Sequence, residues 1–294
     1  MKRSYSDKIF DVANVIIMLI LFFVFSWPLW FVVIASFSDP DALNRGEVLL
    51  WPVGFSLEGY KRILDYKQIW TGYANTIFYT VVGTMVNMIM SVCLAYPLSD
   101  KSFPLRRFFT IFFMITMYFG GGLIPNYLLI RDLGLLDTRW VMIVVGMVSV
   151  YNSLIIRAYF MNSISEELKE ASTLDGANAA QYLIKVVLPL SKPVFAVVGL
   201  YYMVGHWNNY AKALYYIYDA DLYPLQSILR RLLIGSKLLQ DVMSQDPEAI
   251  EMAAKNAQLM QYGIIIVAAL PVLCVYPFVQ KYFVKGVMVG AVKG

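Results

Sequence analysis

The sequence predicts an all-α, polytopic integral membrane protein with about six transmembrane helices and both termini in the cytoplasm, forming a single domain over residues 1–294. Three observations carry this expectation. Apolar residues make up 59% of the chain and charged residues 15%, which bounds the class before any motif is weighed. Several apolar runs reach the ~20 residues that a bilayer-crossing helix needs. One polar interruption, Glu166 to Pro193, stands in the otherwise strongly apolar second half and reads EELKEASTLDGANAAQYLIKVVLPLSKP.

The spans run over roughly Val12 to Ser36, Gly72 to Leu98, Phe108 to Ile130, Trp140 to Phe160, Val194 to Leu214 and Tyr262 to Phe283. The first is too long for a signal-peptide h-region and no small-residue cleavage site follows it, so it is expected to stay in the mature protein as a helix. The third contains Gly120-Gly121-Gly122 and Pro125, which either break the span along a pore or end it early. Irregular backbone at membrane depth is tolerated only against protein or water. The segment between the fifth and sixth spans, Tyr215 to Gln261, is too long for a turn. Its Leu225, Ile228, Leu229, Leu232 and Leu233 form a helical stripe, which predicts a helix lying at the outer interface, followed by a polar helix after Gln240.

Short-loop charges set the orientation, because Lys and Arg near span ends stay on the cytoplasmic side. Lys2, Arg3 and Lys8 precede the first span, Lys101, Arg106 and Arg107 crowd the turn after the second, and Lys281, Lys285 and Lys293 follow the sixth. All three segments fall on one side of a six-span chain. The opposite side carries more acid, including Asp39, Asp41, Glu47, Asp219, Asp221, Asp246 and Glu251. The loop of about residues 162–193 is then cytoplasmic, and the large loop of about residues 215–261 faces outward.

The cytoplasmic loop has a physical reading of its own. Ser163 and Glu166 fit a capping box that would start a short helix. Ile164, Leu168 and Ala171 give that helix one narrow apolar stripe among Glu166, Glu167, Lys169 and Glu170. Gly176 suits the helix stop. A second short helix is expected from about Asn178 to Leu188, ending before Pro189, with Tyr182, Leu183, Val186 and Val187 on its apolar side. Small Ala171 and Ser172, a fixed bend and a stripe that water alone would not reward are the profile of a helix that docks into a partner's groove.

Catalytic chemistry is absent from the pattern. No G-x-x-x-x-G-K-[ST] phosphate loop occurs, so the chain is not expected to bind or hydrolyse ATP. Cys93 and Cys274 lie in apolar runs and read as small apolar residues. The net charge of +4 comes with no basic cluster interleaved with aromatics, which excludes a nucleic-acid face. The one histidine, His206, supports neither a metal cluster nor a Ser-His-Asp arrangement, and no metal site is expected. A solute path is to be sought among polar and aromatic groups inside the spans. His206, Trp207, Asn208, Asn209 and Tyr210 are the densest group, and Asn75, Asn87, Tyr118, Asn126, Tyr151 and Asn152 are further candidates. Uncharged amides and ring faces suit sugars, and the same residue types also join transmembrane helices.

Glu170-Ala171-Ser172, then Asp175-Gly176-Ala177, then Val186, Leu188 and Pro189, resemble the EAA loop of bacterial ABC-importer permease subunits. Ser172 stands where a second alanine is common and Val186 where isoleucine is common. In that family the loop couples to a separate ATPase, which implies coupling roles for Glu170, Ala171, Ser172, Asp175, Gly176, Ala177, Leu188 and Pro189. The C-terminus, Gln280 to Gly286 followed by Gly290-Ala291-Val292-Lys293-Gly294, is similar to the tail of maltose-type carbohydrate permeases. That makes Lys293 and Gly294 either ATPase contacts or part of a frayed terminus. Trp51-Pro52 and Phe55 to Tyr60 in the first outer loop also fit carbohydrate-type permeases, and Leu222 to Ser227 looks like permeases for polysaccharide fragments, including uronate-containing ones.

The resemblance implies a multi-pass subunit of the bacterial plasma (inner) membrane that works with a homologous permease, two ATPase subunits and an external solute-binding protein. It implies no cofactor on this chain, with ATP and Mg in the ATPase partners. The solute would be a di- or oligosaccharide. The other reading is a self-contained sugar channel or facilitator, against which the absence of an intramembrane charge ring or filter-like carbonyl motif argues.

Overall fold

The computed structural model describes residues 5–241, 260–274 and 277, and every regular element among them is a helix. The chain divides into two compact units, Met1–Ile69 with Leu229–Leu270, and Trp70–Ile228 with Pro271–Gly294. The first unit opens on α1, Tyr5–Ser36, a 32-residue helix dominated by branched aliphatic and aromatic residues. Its large apolar side chains from Ile9 to Trp30 are exposed, the surface expected of a helix solvated by lipid. Only its last turn is buried, where Ile34 packs with Ala42 and Val48. The helix ends as Ser38 donates its hydroxyl to the Ile34 carbonyl at 2.7 Å. Asp39 then caps α2, Pro40–Asn44, with proline in the first turn, where its missing N–H costs nothing.

The loop between α1 and α3, Glu58–Asp65, is held by its aromatics. Phe37 stacks on Phe55 at 5.7 Å, Trp30 donates to the Leu50 carbonyl at 3.0 Å, and the Tyr60 hydroxyl donates to Ser36 Oγ at 2.8 Å. Tyr60 belongs to α3, whose Gly59 and Ile63 are its buried residues.

The second unit is organised around α4, Lys67–Ser99, 33 residues long, with Pro97 in its last turn. The α1 stretch Asp7–Ser36 and α4 are each long and apolar enough to cross a membrane. The expected third span is two helices, α5 Arg106–Tyr118 and α6 Leu123–Asp132, bent by 110° at the glycine run. The expected fourth span is also broken, a correction to the continuous helix from Trp140 to Phe160. After α7, Arg139–Val144, the chain turns through Gly146 at φ +76°, a conformation that favours glycine, and restarts as α8, Val150–Ser163. Ser149 caps α8 by accepting the Asn152 N–H at 3.3 Å.

The loop expected to form a knob does so, with corrected boundaries. The first helix, α9 Glu166–Leu174, follows Ser165, and the Ser163–Glu166 box is not made because Ser163 is still the last residue of α8. Glu166 instead pairs with Lys101 at 2.8 Å. The second piece begins with α10, Ala179–Tyr182, passes through a π turn at Leu183–Val187, and continues as α11, Leu188–Leu190. It therefore runs through Pro189 rather than stopping before it. A proline inside a regular helix would clash with the carbonyl four residues back, here Lys185, and the widened π turn relieves that conflict.

A bend of 81° at Ser191 then starts α12, Lys192–Trp207. The expected fifth span is broken after Trp207, because Asn209 Oδ1 accepts the Lys212 N–H at 3.1 Å and opens a new helix, α13 Ala211–Tyr216. The core of this unit joins Ala95 of α4, Ile156 and Phe160 of α8, Tyr182 and Val187 of the knob, and Val194, Val198 and Tyr202 of α12.

After α13 the chain turns through Ala220–Leu222 into α14, Leu225–Asp241. Its first turn packs on α4. Leu225 and Ile228 are buried at Gly72, where an added Cβ would lie 2.5 Å from Ile228 Cδ1. Asn75 ties this turn down by donating to the carbonyls of Asp221 at 2.6 Å and Tyr223 at 3.1 Å. The sixth expected span is described only as α15, Met260–Cys274. Within the first unit, Tyr262 of α15 meets Phe31 edge-on at 6.0 Å, and a Cβ on Gly263 would lie 2.9 Å from Ile63. The polar helix expected after Gln240 and the tail residues Lys293 and Gly294 lie outside the described residues.

Candidate functional site

Two arrangements in the second unit carry the sequence candidates, an exposed helix–glycine–helix knob and a buried polar seam between α4, α7, α8 and α12. In the knob, Gly176 ends α9 at φ +76°, with Asp175 N–H donating to Ala171 O at 3.0 Å and Ala177 N–H to Ser172 O at 2.9 Å. Asn178 and Gln181 then form the capping box that starts α10, bonding reciprocally at 2.9 and 3.0 Å. This N-x-x-Q pattern was readable in the sequence.

Of the loop candidates, Glu170, Ala171, Asp175, Gly176 and Pro189 are exposed, and Ser172, Ala177 and Leu188 are half-buried. Leu168 is 42% and Leu174 89% exposed, so the knob presents apolar side chains outward while Tyr182 and Val187 hold it from beneath.

Charge braces the knob. Lys169 Nζ lies 2.7 Å from Asp100 Oδ1, and the same oxygen accepts the Ser102 N–H at 2.9 Å and the Ser102 hydroxyl at 2.7 Å. Burial pushes the Asp100 carboxyl up, but the Lys169 ammonium and the two Ser102 donors outweigh it, leaving the group below its ordinary range. The Tyr96 hydroxyl donates to the Ala179 carbonyl at 3.1 Å.

The polar seam brings Asn87 and His206 together. Both are buried, and His206 Nε2 lies 2.6 Å from Asn87 Oδ1. An amide oxygen only accepts, so Nε2 carries the proton. The Asn87 amide nitrogen, placed by this assignment, donates to the carbonyls of Met147 at 2.7 Å and Gly146 at 3.2 Å. These are carbonyls released by the break after α7, and Asn87 satisfies them where water is scarce.

Lys212 performs the same service beside it, donating to Met142 O at 3.4 Å and to Val145 O. This lysine was missed as a candidate, although it was visible as the one cation inside the fifth apolar run. Trp207 is buried, with its ring 6.3 Å from Tyr73, and both line an apolar groove of about 390 Å³ with Ile77, Val204 and Pro271. Asn208 and Tyr210 are exposed, Asn209 half-buried, and Asn152 buried at the start of α8. Tyr118 and Tyr151 are 76% and 60% exposed and form no part of the buried seam. Among the described residues no group of three or more His, Cys, Asp or Glu side chains is placed to hold a metal ion.

The family model for "Binding-protein-dependent transport system inner membrane component" matches residues 69–289. The chain is 34% identical to Protein LplC of Bacillus subtilis (strain 168) over 100% of this chain and 98% of that protein. It is 35% identical to the polygalacturonan/rhamnogalacturonan transport system permease protein YtcP of the same organism, over 98% and 99%. A crystal structure of a bacterial ABC transporter involved in the import of the acidic polysaccharide alginate contains a chain that superposes with a TM-score of 0.86 at 36% identity, covering 96% of this chain and 99% of that one. The family is one of transport components, which agrees with the non-enzymatic reading of the sequence. The chain belongs to the inner membrane components of binding-protein-dependent transport systems.

Proposed function

We propose that this chain is one of two permease subunits of an ATP-driven sugar importer, and that its knob is the element on which an ATPase subunit acts. The observation that carries this is the exposed helix–glycine–helix of α9 and α10, with apolar Leu168 and Leu174 facing outward on a base of buried Tyr182 and Val187. Short-loop charges support a six-span topology with both termini and the knob in the cytoplasm. ATP and Mg then belong to the two ATPase partners, and a solute-binding protein delivers cargo to the opposite face. At 35% and 36% identity, the relatives named for polygalacturonan/rhamnogalacturonan transport and for alginate import support an oligosaccharide bearing uronate groups as the solute.

In this reading ATP binding closes the ATPase dimer, the knob moves as a rigid lever, and the paired permeases exchange inward-facing for outward-facing access. Such a lever shifts the equilibrium only by its differential interaction with the two states, about a few kcal/mol. The test is reconstitution of the chain with its permease partner, ATPase and binding protein in liposomes. Uptake of an oligogalacturonate that requires ATP and every partner supports the assignment. Passage of solute through the chain alone contradicts it and supports a facilitator.

A further inference from the structure

A nine-residue helix with no buried residue of its own does not hold its position by local propensity. The side chain of Ser165 makes no capping bond to α9. What fixes this helix sideways is the last turn of α4 and the three residues after it. Glu166 and Lys169, three apart and so on one face of α9, meet Lys101 at 2.8 Å and Asp100 at 2.7 Å.

The sign order matters. A minus–plus pair on α9 faces a plus–minus pair on the α4 end, so the two ion pairs are satisfied together in one register. A displaced register would bring like charges together or leave the pairs open. The two pairs are not equal. Lys101 and Glu166 are 68% and 65% exposed, against 44% and 32% for Lys169 and Asp100. Water and salt screen the first more than the second. Asp100 is also preset by both Ser102 donors, so Lys169 meets an already oriented carboxylate. Tyr96, one turn earlier on α4, reaches the Ala179 carbonyl of the second knob helix.

We infer that Asp100 and Lys169 are a positioning pair that locks α9 to the end of α4, so that displacement of the knob is delivered to α4 rather than absorbed by the α9 hinge at Gly176. This rests on the reading of the knob as the ATPase-coupled lever. It adds the element that receives the motion. α4 is suited to that role because Asn87, further along the same helix, bonds both His206 of α12 and the carbonyls of the α7–α8 break. Neither Asp100 nor Lys169 touches solute. They act through the placement of α9.

The experiment uses the assembled importer in nanodiscs, with Cys93 and Cys274 replaced by serine and spin labels placed at Leu105→Cys and at Glu167→Cys, an exposed position of α9. The label separation is expected to stay the same when ATP and Mg are added, because α9 and the α4 end travel together. Asp100→Asn and Lys169→Met should broaden that distribution and lower oligogalacturonate moved per ATP hydrolysed by about two- to fivefold, the range a partly screened ion pair supports. The exchange Asp100→Lys with Lys169→Asp should recover part of both.

A separation that changes with nucleotide in the unmodified pair overturns the inference, as does an unaltered distribution in both single variants. Glu170→Lys, on the outward face of the knob, separates the two ideas. If it stops uptake while the pair variants leave uptake per ATP unchanged, the lever stands and the lock falls. If it too has no effect, the lever reading itself has failed.

Discussion

Gly83 of α4 lies directly against the ring of His206 on α12, and a single methyl there has a calculable consequence. A Cβ at Gly83 would stand 2.5 Å from both Cε1 and Nε2 of His206 and 2.9 Å from Nδ1. Ordinary contact between such atoms needs about 3.5 Å or more, so Gly83→Ala forces the ring back by about 1 Å. The ring is not a flexible tip, because Nε2 is held at 2.6 Å by Asn87 and the residue is only 8% exposed. Overpacking of this kind costs about 1–3 kcal/mol. Losing the His206–Asn87 bond strands buried polar atoms at a cost of about 1–3 kcal/mol. Since relieving one penalty creates the other, the two are alternatives rather than a sum, and the net destabilisation should be about 1–3 kcal/mol. Gly205→Ala is the control, next to the same histidine but with nothing within 4 Å of the added carbon. There the better helix propensity of alanine should leave stability unchanged or raise it by about 1 kcal/mol. Denaturation of the purified protein in mixed detergent micelles compares the two. The double variant Gly83→Ala with His206→Ala should be less damaged than the sum of its parts. Equal stability of Gly83→Ala and Gly205→Ala would refute this packing argument.

Other expectations follow from the same geometry. Gly176 has φ +76° with nothing within 4 Å of an added Cβ, so substitution there strains the backbone without a clash. Gly176→Val should cost about 1–2 kcal/mol locally and stop uptake while membrane insertion persists, whereas Gly176→Asn should keep most of it. Asn75→Ala removes both bonds to the 221–223 turn and should lower stability by about 1–3 kcal/mol, with protease cleavage near Tyr223 as the readout. The folded pKa of Asp100 lies below its ordinary value near 3.8, so its pair contributes fully above that pH and the contribution is lost as pH falls through the lowered value. Carbon-detected NMR of the Asp100 carboxyl should find that low midpoint, and Lys169→Met should move it upward.

The apolar runs and the charged island were legible because lipid and water impose opposite compositions on long stretches of chain. The glycine at 176 was legible for a local reason, as the residue type that closes α9 at positive φ at least cost. The breaks in the expected fourth and fifth spans were not, because hydropathy averages over them. Gly146 and Asn209 are single residues inside apolar runs; at the first break Asn87 and Lys212 take up freed carbonyls and Ser149 caps the new helix, and at the second Asn209 itself accepts the Lys212 N–H. Those partners are 59 or more residues away for Asn87 and 67 or more for Lys212, a separation no local pattern encodes. The Ser163–Glu166 box failed for a related reason. The α8 helix runs on to Ser163, and the Lys101 ammonium offers Glu166 a better partner than a backbone N–H. His206 and Asn87 were singled out as polar groups at membrane depth, and the fold pairs them with each other.

The central claim is that this chain passes solute only when an ATPase drives its knob. Uptake of labelled oligogalacturonate into proteoliposomes holding the full importer, compared with liposomes holding this chain alone, tests it most directly. The account predicts ATP- and binding-protein-dependent uptake in the first, lost on Gly176→Val with the complex still assembled, and none in the second. Equal, ATP-independent passage in both would contradict it.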